Sequence, residues 1–147
     1  MQPKTPRPVI AIVDDDLHFR RALKRLVSSW DIDAETYASG SEFIDRLEET
    51  PSFSPGCVIL DLQIADMHGL EVQKYLVSRG RRIPVILVTA SDAATIRDNA
   101  LAAGVVAVLQ KPFESDLLMQ TLRKILDREP FHQPAQLRLF TQQRCAT

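Results

Sequence analysis

The chain has 147 residues, 45% of them hydrophobic, enough to bury one core and too few for a second domain of similar size. Its 18 basic and 19 acidic side chains give a formal charge of -1, so there is no surplus of positive charge to neutralise many phosphates, and sequence-independent nucleic-acid binding is disfavoured. No stretch approaches the roughly 20 apolar residues of a membrane span, and the opening "MQPKTPRP" lacks the apolar run of a signal peptide; a cytoplasmic protein without membrane contact is expected.

Residues 1–7 read as an N-terminal extension, 8–127 as one domain and 128–147 as a C-terminal tail. "VIAIV", Val9 to Val13, is a continuous β-branched run of the kind covered on both faces, and it ends in Asp14-Asp15-Asp16. Phe19, Ala22, Leu23, Leu26, Val27 and Trp30 then recur at helical spacing, and Arg20, Arg21, Lys24 and Arg25 form the opposite, solvated face. Asp16 is the expected cap of this helix. "AETYA" reads as a second strand, and Ser39-Gly40-Ser41-Glu42 has the Ser-x-x-Glu form of a capping box. "CVIL" gives a third strand, and "LEVQKYLVSR" a helix that Gly80 closes. "PVILVTA" follows as strand four, then "DAATIRDNALAA" as a helix before Gly104. That helix would rest on Ile96, Ala100 and Ala103, little apolar area, and should be the least firmly held. "VVAVLQ" is strand five, Lys111-Pro112-Phe113 follows, and Leu117, Leu118, Leu122, Ile125 and Leu126 mark a last helix.

Five strands alternating with five helices imply right-handed crossovers and an α/β fold, a doubly wound five-stranded parallel sheet. All strands then finish on one edge, where ligands bind. Strand one brings Asp14 and Asp15 there, strand three Asp61, strand four Thr89, and strand five runs into Lys111. Strand two brings only Tyr37 and Ala38, as expected of an edge strand. Close carboxylates repel unless a cation joins them, and oxygen donors without His or Cys favour Mg²⁺. A carboxylate beside Mg²⁺ can attack phosphorus to form an acyl phosphate, a reaction that needs in-line positioning and neutralised phosphoryl oxygens. Mg²⁺, Lys111 and the Thr89 hydroxyl can each take one such oxygen, which makes Asp61 the expected phosphoacceptor.

With "VDDD", "LDLQIADMHG", "VTA" and "KPF" placed in that order, the sequence resembles a response-regulator receiver domain of two-component signalling, over about Val9 to Leu126. The resemblance implies a flavodoxin-like (CheY-like) sheet of strand order 2-1-3-4-5. It implies that Asp14, Asp15 and Asp61, with the Gln63 backbone carbonyl, bind Mg²⁺. Asp61 accepts the phosphoryl group from a sensor histidine kinase or phosphotransfer protein, Thr89 and Lys111 contact its oxygens, and the Lys111-Pro112 bond is cis. "DDDLHFRRALKRLVSSWDIDAETYASGSEF" is also similar to receivers of the nitrogen-fixation regulator type, many of which precede a DNA-binding domain. Two positions depart from the family pattern: Ile64-Ala65 stands where Met-Pro is frequent, and Val108 where an aromatic usually changes rotamer on phosphorylation.

Blander readings accompany each residue. The aspartate run can complement a helix dipole, Lys111 can be a solvated lysine, Thr89 a strand residue, and Gly69 and Gly104 loop or cap glycines. Cys57 and Cys145 show no pairing or metal spacing, and His18, His68 and His132 form no ligand cluster with them. An FMN-binding flavodoxin shares the fold, but "DDD" in the first loop repels phosphate unless metal intervenes. A phosphatase of the haloacid dehalogenase type wants an aspartate two residues beyond the nucleophile, where this chain has Gln63. The chain is therefore expected to be a phosphoacceptor switch and not a turnover enzyme; a receiver-like interaction module that is never phosphorylated remains as the third alternative. After Leu126, "DREPFHQPAQLRLFTQQRCAT" is too short and too broken by Pro130 and Pro134 for a helix-turn-helix. Output is thus expected through protein contacts of helix four, strand five and helix five, with a phosphorylation-dependent dimer as one form and no direct DNA binding. The other form of the reading is a receiver fragment of a DNA-binding regulator.

Overall fold

The computed structural model describes residues 9–127, so the expected N-terminal extension and C-terminal tail, with His132 and Cys145, lie outside the described residues. Ten elements alternate: β1 (Val9–Val13), α1 (Leu17–Ser28), β2 (Asp33–Tyr37), α2 (Gly40–Glu49), β3 (Cys57–Asp61), α3 (Gly69–Ser78), β4 (Val85–Thr89), α4 (Ala94–Ala102), β5 (Ala107–Gln110) and α5 (Ser115–Leu126). All strand pairs are parallel and the order is β2-β1-β3-β4-β5. β1 therefore lies between the strands that precede and follow the reversal of strand order, and the crevice opens where β1 meets β3.

The strands look uniformly apolar in sequence because each serves two cores. Ala11, Val13, Val58, Leu60 and Leu87 pack under α2, α3 and α4 with Phe43, Leu47, Val72 and Leu76. Ile10, Ile12, Ile59, Ile86 and Val88 pack on the other face with Leu23 and Val27 of α1 and Leu118 and Leu122 of α5. This period-two division fixes the register, since a slip of one residue would exchange the faces. Asp61 pairs opposite Val88, and Thr89 opposite Gln110, so the polar residues leave the sheet at nearly one level.

Local signals explain most helix starts. The Asp16 carboxylate accepts from the His18 and Phe19 amides and caps α1. Ser39 Oγ accepts from the Glu42 amide, while the Glu42 carboxylate accepts from the Ala38 amide, one residue before the position a capping box predicts. Gly80 takes φ +68°, as the end of α3 requires.

Some expectations are corrected. Ala22 is exposed and not part of the α1 stripe. α4 keeps the predicted face, with Ala100 buried, Ile96 packed on the core and Ala103 half-buried, and adds Leu101, which the prediction omitted. β5 starts at Ala107, two residues later than predicted, since the Val105 amide is still bonded to the Ala100 carbonyl of α4. Neither α4, with Ala93 at its cap position, nor α5, with Glu114, has a side-chain cap hydrogen bond.

Candidate functional site

Asp61 is the last residue of β3, and β1 delivers Asp14 beside it. Asp14 is 2% exposed; its amide donates to the Tyr37 carbonyl and its Oδ1 accepts from the Asp16 amide at 2.8 Å. Arg20 of α1 donates to the Asp14 carbonyl at 2.8 Å, so one aspartate is held by both β2 and α1. Asp15 is exposed. One carboxylate oxygen from each of Asp14, Asp15 and Asp61 lies within 4.8 Å of the others, and among the described residues this is the one such group of His, Cys, Asp and Glu.

Lys111 meets these carboxylates from the far strand. Its Nζ stands 3.1 Å from Asp14 Oδ2 and 3.4 Å from Asp61 Oδ2. The Lys111 amide donates to the Thr89 carbonyl at 2.8 Å, which ties its backbone to the end of β4. The Lys111-Pro112 peptide bond is cis. Burial and the Asp14 charge raise the Asp61 carboxyl above its ordinary range, against the opposing pull of the Gln63 amide and Lys111. Burial works against the Lys111 ammonium, yet the hydrogen bond to Asp14 and the Asp61 charge leave its pKa raised. A single ammonium thus compensates two of three carboxylates incompletely. The oxygen-only donor set and the residual repulsion fit a divalent cation.

Asp61, Gln63, Thr89, Ser91 and Lys111 line one cleft of about 380 Å³, together with Ile96 of α4. The Gln63 amide donates to Asp61 Oδ1 at 3.2 Å. Thr89 Oγ1 accepts from the Ser91 amide at 3.0 Å, and Ser91 Oγ accepts from the Ala93 amide at 3.1 Å. Two hydroxyls therefore connect the end of β4 to the first turn of α4. The structure brings Asp14, Asp15, Asp61, Thr89 and Lys111 to one edge, with Gln63 exposed beside them.

Three contributors escaped the sequence reading. His68 caps α3, its Nδ1 accepting from the Leu70 amide. Asp66, in the loop after Asp61, accepts from the Gly40 amide, the Ser41 amide and the Ser41 hydroxyl at 3.1, 3.0 and 2.6 Å. These bonds, the Ser41 hydroxyl foremost, hold its carboxyl below the usual range. With Ser39 they satisfy the amides of the first turn of α2, so one carboxylate both caps a helix and anchors the loop beyond Asp61. Asp66→Ala is expected to lower stability by about 1 kcal/mol, the usual worth of a cap; urea unfolding of both proteins measures it, and an unchanged midpoint contradicts the tertiary cap. The third contributor is Phe19, whose ring lies 4.0 Å from Lys111 Nζ.

Cys57 is fully buried and burial pushes its thiol up to about 12, so it is inert in this range. No described helix is long and apolar enough to cross a membrane.

A family model described as the response regulator receiver domain matches residues 10–123. Response regulator protein TodT of Pseudomonas putida is 34% identical over 122 residues, which is 83% of this chain and 52% of that protein. Transcriptional regulatory protein TdiR of Thauera aromatica is 31% identical over 117 residues, 80% of this chain and 50% of that protein. The chain spans about half the length of these curated relatives. Among solved structures, a response regulator receiver protein from Burkholderia phymatum shares 46% identity at a TM-score of 0.75, covering 85% of this chain and 100% of that one.

Proposed function

The chain belongs to the response regulator receiver family, and from that premise we propose that Asp61 accepts a phosphoryl group from a phosphohistidine of a sensor histidine kinase or phosphotransfer protein. The observation that carries this reading is the meeting of the Asp61 carboxylate, the Lys111 ammonium and the Thr89 hydroxyl in one cleft beside Asp14 and Asp15.

An Asp61 oxygen attacks phosphorus in line with the departing imidazole nitrogen. The P–O bond forms as the P–N bond breaks, and the imidazole nitrogen keeps the electron pair and takes up a proton. Lys111 turns from the carboxylates toward a phosphoryl oxygen, and Thr89 Oγ1 donates its proton to another. Asp14, Asp15 and Asp61, with the Gln63 carbonyl, would hold Mg²⁺, which would supply the positive charge that the carboxylate cluster and the incoming phosphoryl group require. On this reading the chain is a switch and not a turnover enzyme, and it acts in the cytoplasm.

Incubation of the chain with Mg²⁺ and acetyl phosphate, read by intact mass, tests this: one added phosphoryl group supports the reading, and none contradicts it. Gln63 and Ser91 flank the acceptor and neither is an acid or base near neutral pH, so water attack gains no proton acceptor. The acyl phosphate is expected to persist for minutes or longer; a half-life of a second without a partner phosphatase contradicts that.

Output passes through α4. If Thr89 Oγ1 reorients toward the phosphoryl group, its bond from the Ser91 amide loosens, and α4 has little else to fix its first turn. Val108 is buried in β5 and has no long lever, so α4 and its flanking loops should show the largest change in amide hydrogen exchange on phosphorylation. A response confined to other elements removes this route. The resulting surface of α4, β5 and α5 contacts a partner, a second copy or a further output domain, the last favoured by relatives about twice as long. Light scattering with and without phosphodonor, beside DNA binding at physiological salt, separates these.

A further inference from the structure

Phe19 occupies the first turn of α1, half-buried against the α1 and α5 side of the core. Packing alone would account for an apolar residue there. It does not account for the lysine: Lys111 Nζ lies 4.0 Å from the ring centroid, within the range where the negative face of an aromatic ring attracts a cation. Nor is the ring loosely placed. Its backbone amide donates to the Asp16 cap at 3.2 Å, and Phe113 meets it edge to face, centroids 6.2 Å apart at 88°. Phe113 follows Lys111 by two residues, so the loop that carries the lysine also braces the ring against which its ammonium rests.

We propose that Phe19 is a positioning residue for phosphoryl transfer, its ring face holding the Lys111 ammonium beside Asp61. The proposal rests on the phosphoacceptor reading above and adds a residue to it. Lys111 has a flexible four-carbon stem, and a cation that must stabilise a transferring group acts best when already in place. The two carboxylate contacts cannot do this alone, because Lys111 has to exchange them for a phosphoryl oxygen. A ring face consumes no hydrogen-bond acceptor and has little directional demand, so it can keep its hold while the ammonium moves between oxygens. It also shields one side of Nζ from water, which strengthens the remaining interactions.

The test uses the full chain with acetyl phosphate and Mg²⁺. Phe19→Leu keeps apolar volume and removes the ring; Phe19→Tyr keeps the ring. Loss of one cation–π contact should slow the saturating labelling rate about three- to tenfold. The half-saturating acetyl phosphate concentration and the Mg²⁺ affinity by calorimetry should be unchanged, and Phe19→Tyr should restore the rate. In a Lys111→Ala background, Phe19→Leu should cost nothing further, since the ring acts through the lysine. An independent readout is the ring-current shift of the Lys111 side-chain protons in NMR spectra, present in the wild type and lost in Phe19→Leu. If Phe19→Leu does not fold, Phe19→Met takes its place. Equal rates for wild type and Phe19→Leu, an undiminished penalty without Lys111, or unshifted Lys111 protons in the wild type each overturn the proposal. A wild type that takes no phosphoryl group defeats the phosphoacceptor reading instead, and the ring-current comparison then decides where Phe19 sits.

Discussion

Asp61→Asn is expected to abolish labelling by acetyl phosphate and, in the absence of metal, to yield a more heat-stable protein. The first effect follows from chemistry, since an amide oxygen is a poor nucleophile and its phosphoryl adduct does not form. The second follows from the cost of the carboxylate. Asp61 is half-buried beside Asp14, and burial first, then the Asp14 charge, outweigh the Gln63 amide and Lys111 in raising its pKa. A neutral asparagine removes that cost, keeps an oxygen for the Gln63 amide and leaves Lys111 paired with Asp14.

The pH dependence has a definite sign. The folded pKa of Asp61 exceeds its ordinary value of 3.8, so its contribution to stability is fully present below 3.8 and is lost as pH rises through the folded pKa. The advantage of Asp61→Asn should therefore be greatest above that raised value and shrink as pH falls through it. Lys111 titrates above 10.5 and leaves this window untouched. Added Mg²⁺ should reverse the order, because only the wild type retains the full donor set; at about 100 times the dissociation constant, binding contributes about 2.7 kcal/mol. Thermal melts at several pH values, with and without Mg²⁺, check all of this. A wild type more stable than Asp61→Asn in metal-free buffer at pH 7 would show that Lys111 compensates the cluster fully.

The sheet was legible because each central strand is a short apolar run ended by a polar residue, and the alternating helices leave only parallel crossovers. Asp14, Asp61, Thr89 and Lys111 were legible for a related reason: strand ends in such a sheet share one edge, so a list of what each strand delivers is a list of neighbours. Residues that act from helices and loops offered no such rule. Asp66 caps α2 from a loop 25 residues away at Ser41, and an aspartate in a loop carries no mark of which helix it will reach. Phe19 fits the apolar stripe of α1 whether or not its ring faces a lysine, and only the three-dimensional return of β5 brings Lys111 over it. The face of α4 was legible through Ile96 and Ala100, whereas the buried Leu101 was missed because Ala94, Ala100, Ala102 and Ala103 give weak apolar contrast around it.

Gly69 reads in sequence as a loop glycine, and the structure gives it a stricter task, so Gly69→Ala is expected to damage both stability and phosphoryl transfer. Its backbone has no positive φ, so conformational freedom is not what the position requires. Space is: a Cβ there would lie 2.5 Å from the Asp61 carbonyl oxygen and 2.9 Å from Leu62 Cα. Neither neighbour can retreat easily. The Leu62 amide donates to Val88 at 2.8 Å, and the Leu62 carbonyl accepts from Gly69 itself at 2.6 Å, so the first residue of α3 is laced to the end of β3. Forcing a methyl group between them should cost about 1–3 kcal/mol, the range for overpacking, and the strain must be relieved in the segment that carries Asp61. Gly80→Ala is the control. That position has φ +68° with no atom within 4 Å of an added Cβ, so alanine there should cost about 1 kcal/mol of backbone strain far from the acceptor. Urea unfolding should thus show both variants destabilised, while labelling by acetyl phosphate should slow about tenfold or more only in Gly69→Ala, an extent set by a misplacement of about 1 Å. Equal labelling rates in the two variants would mean that the start of α3 can yield without moving Asp61.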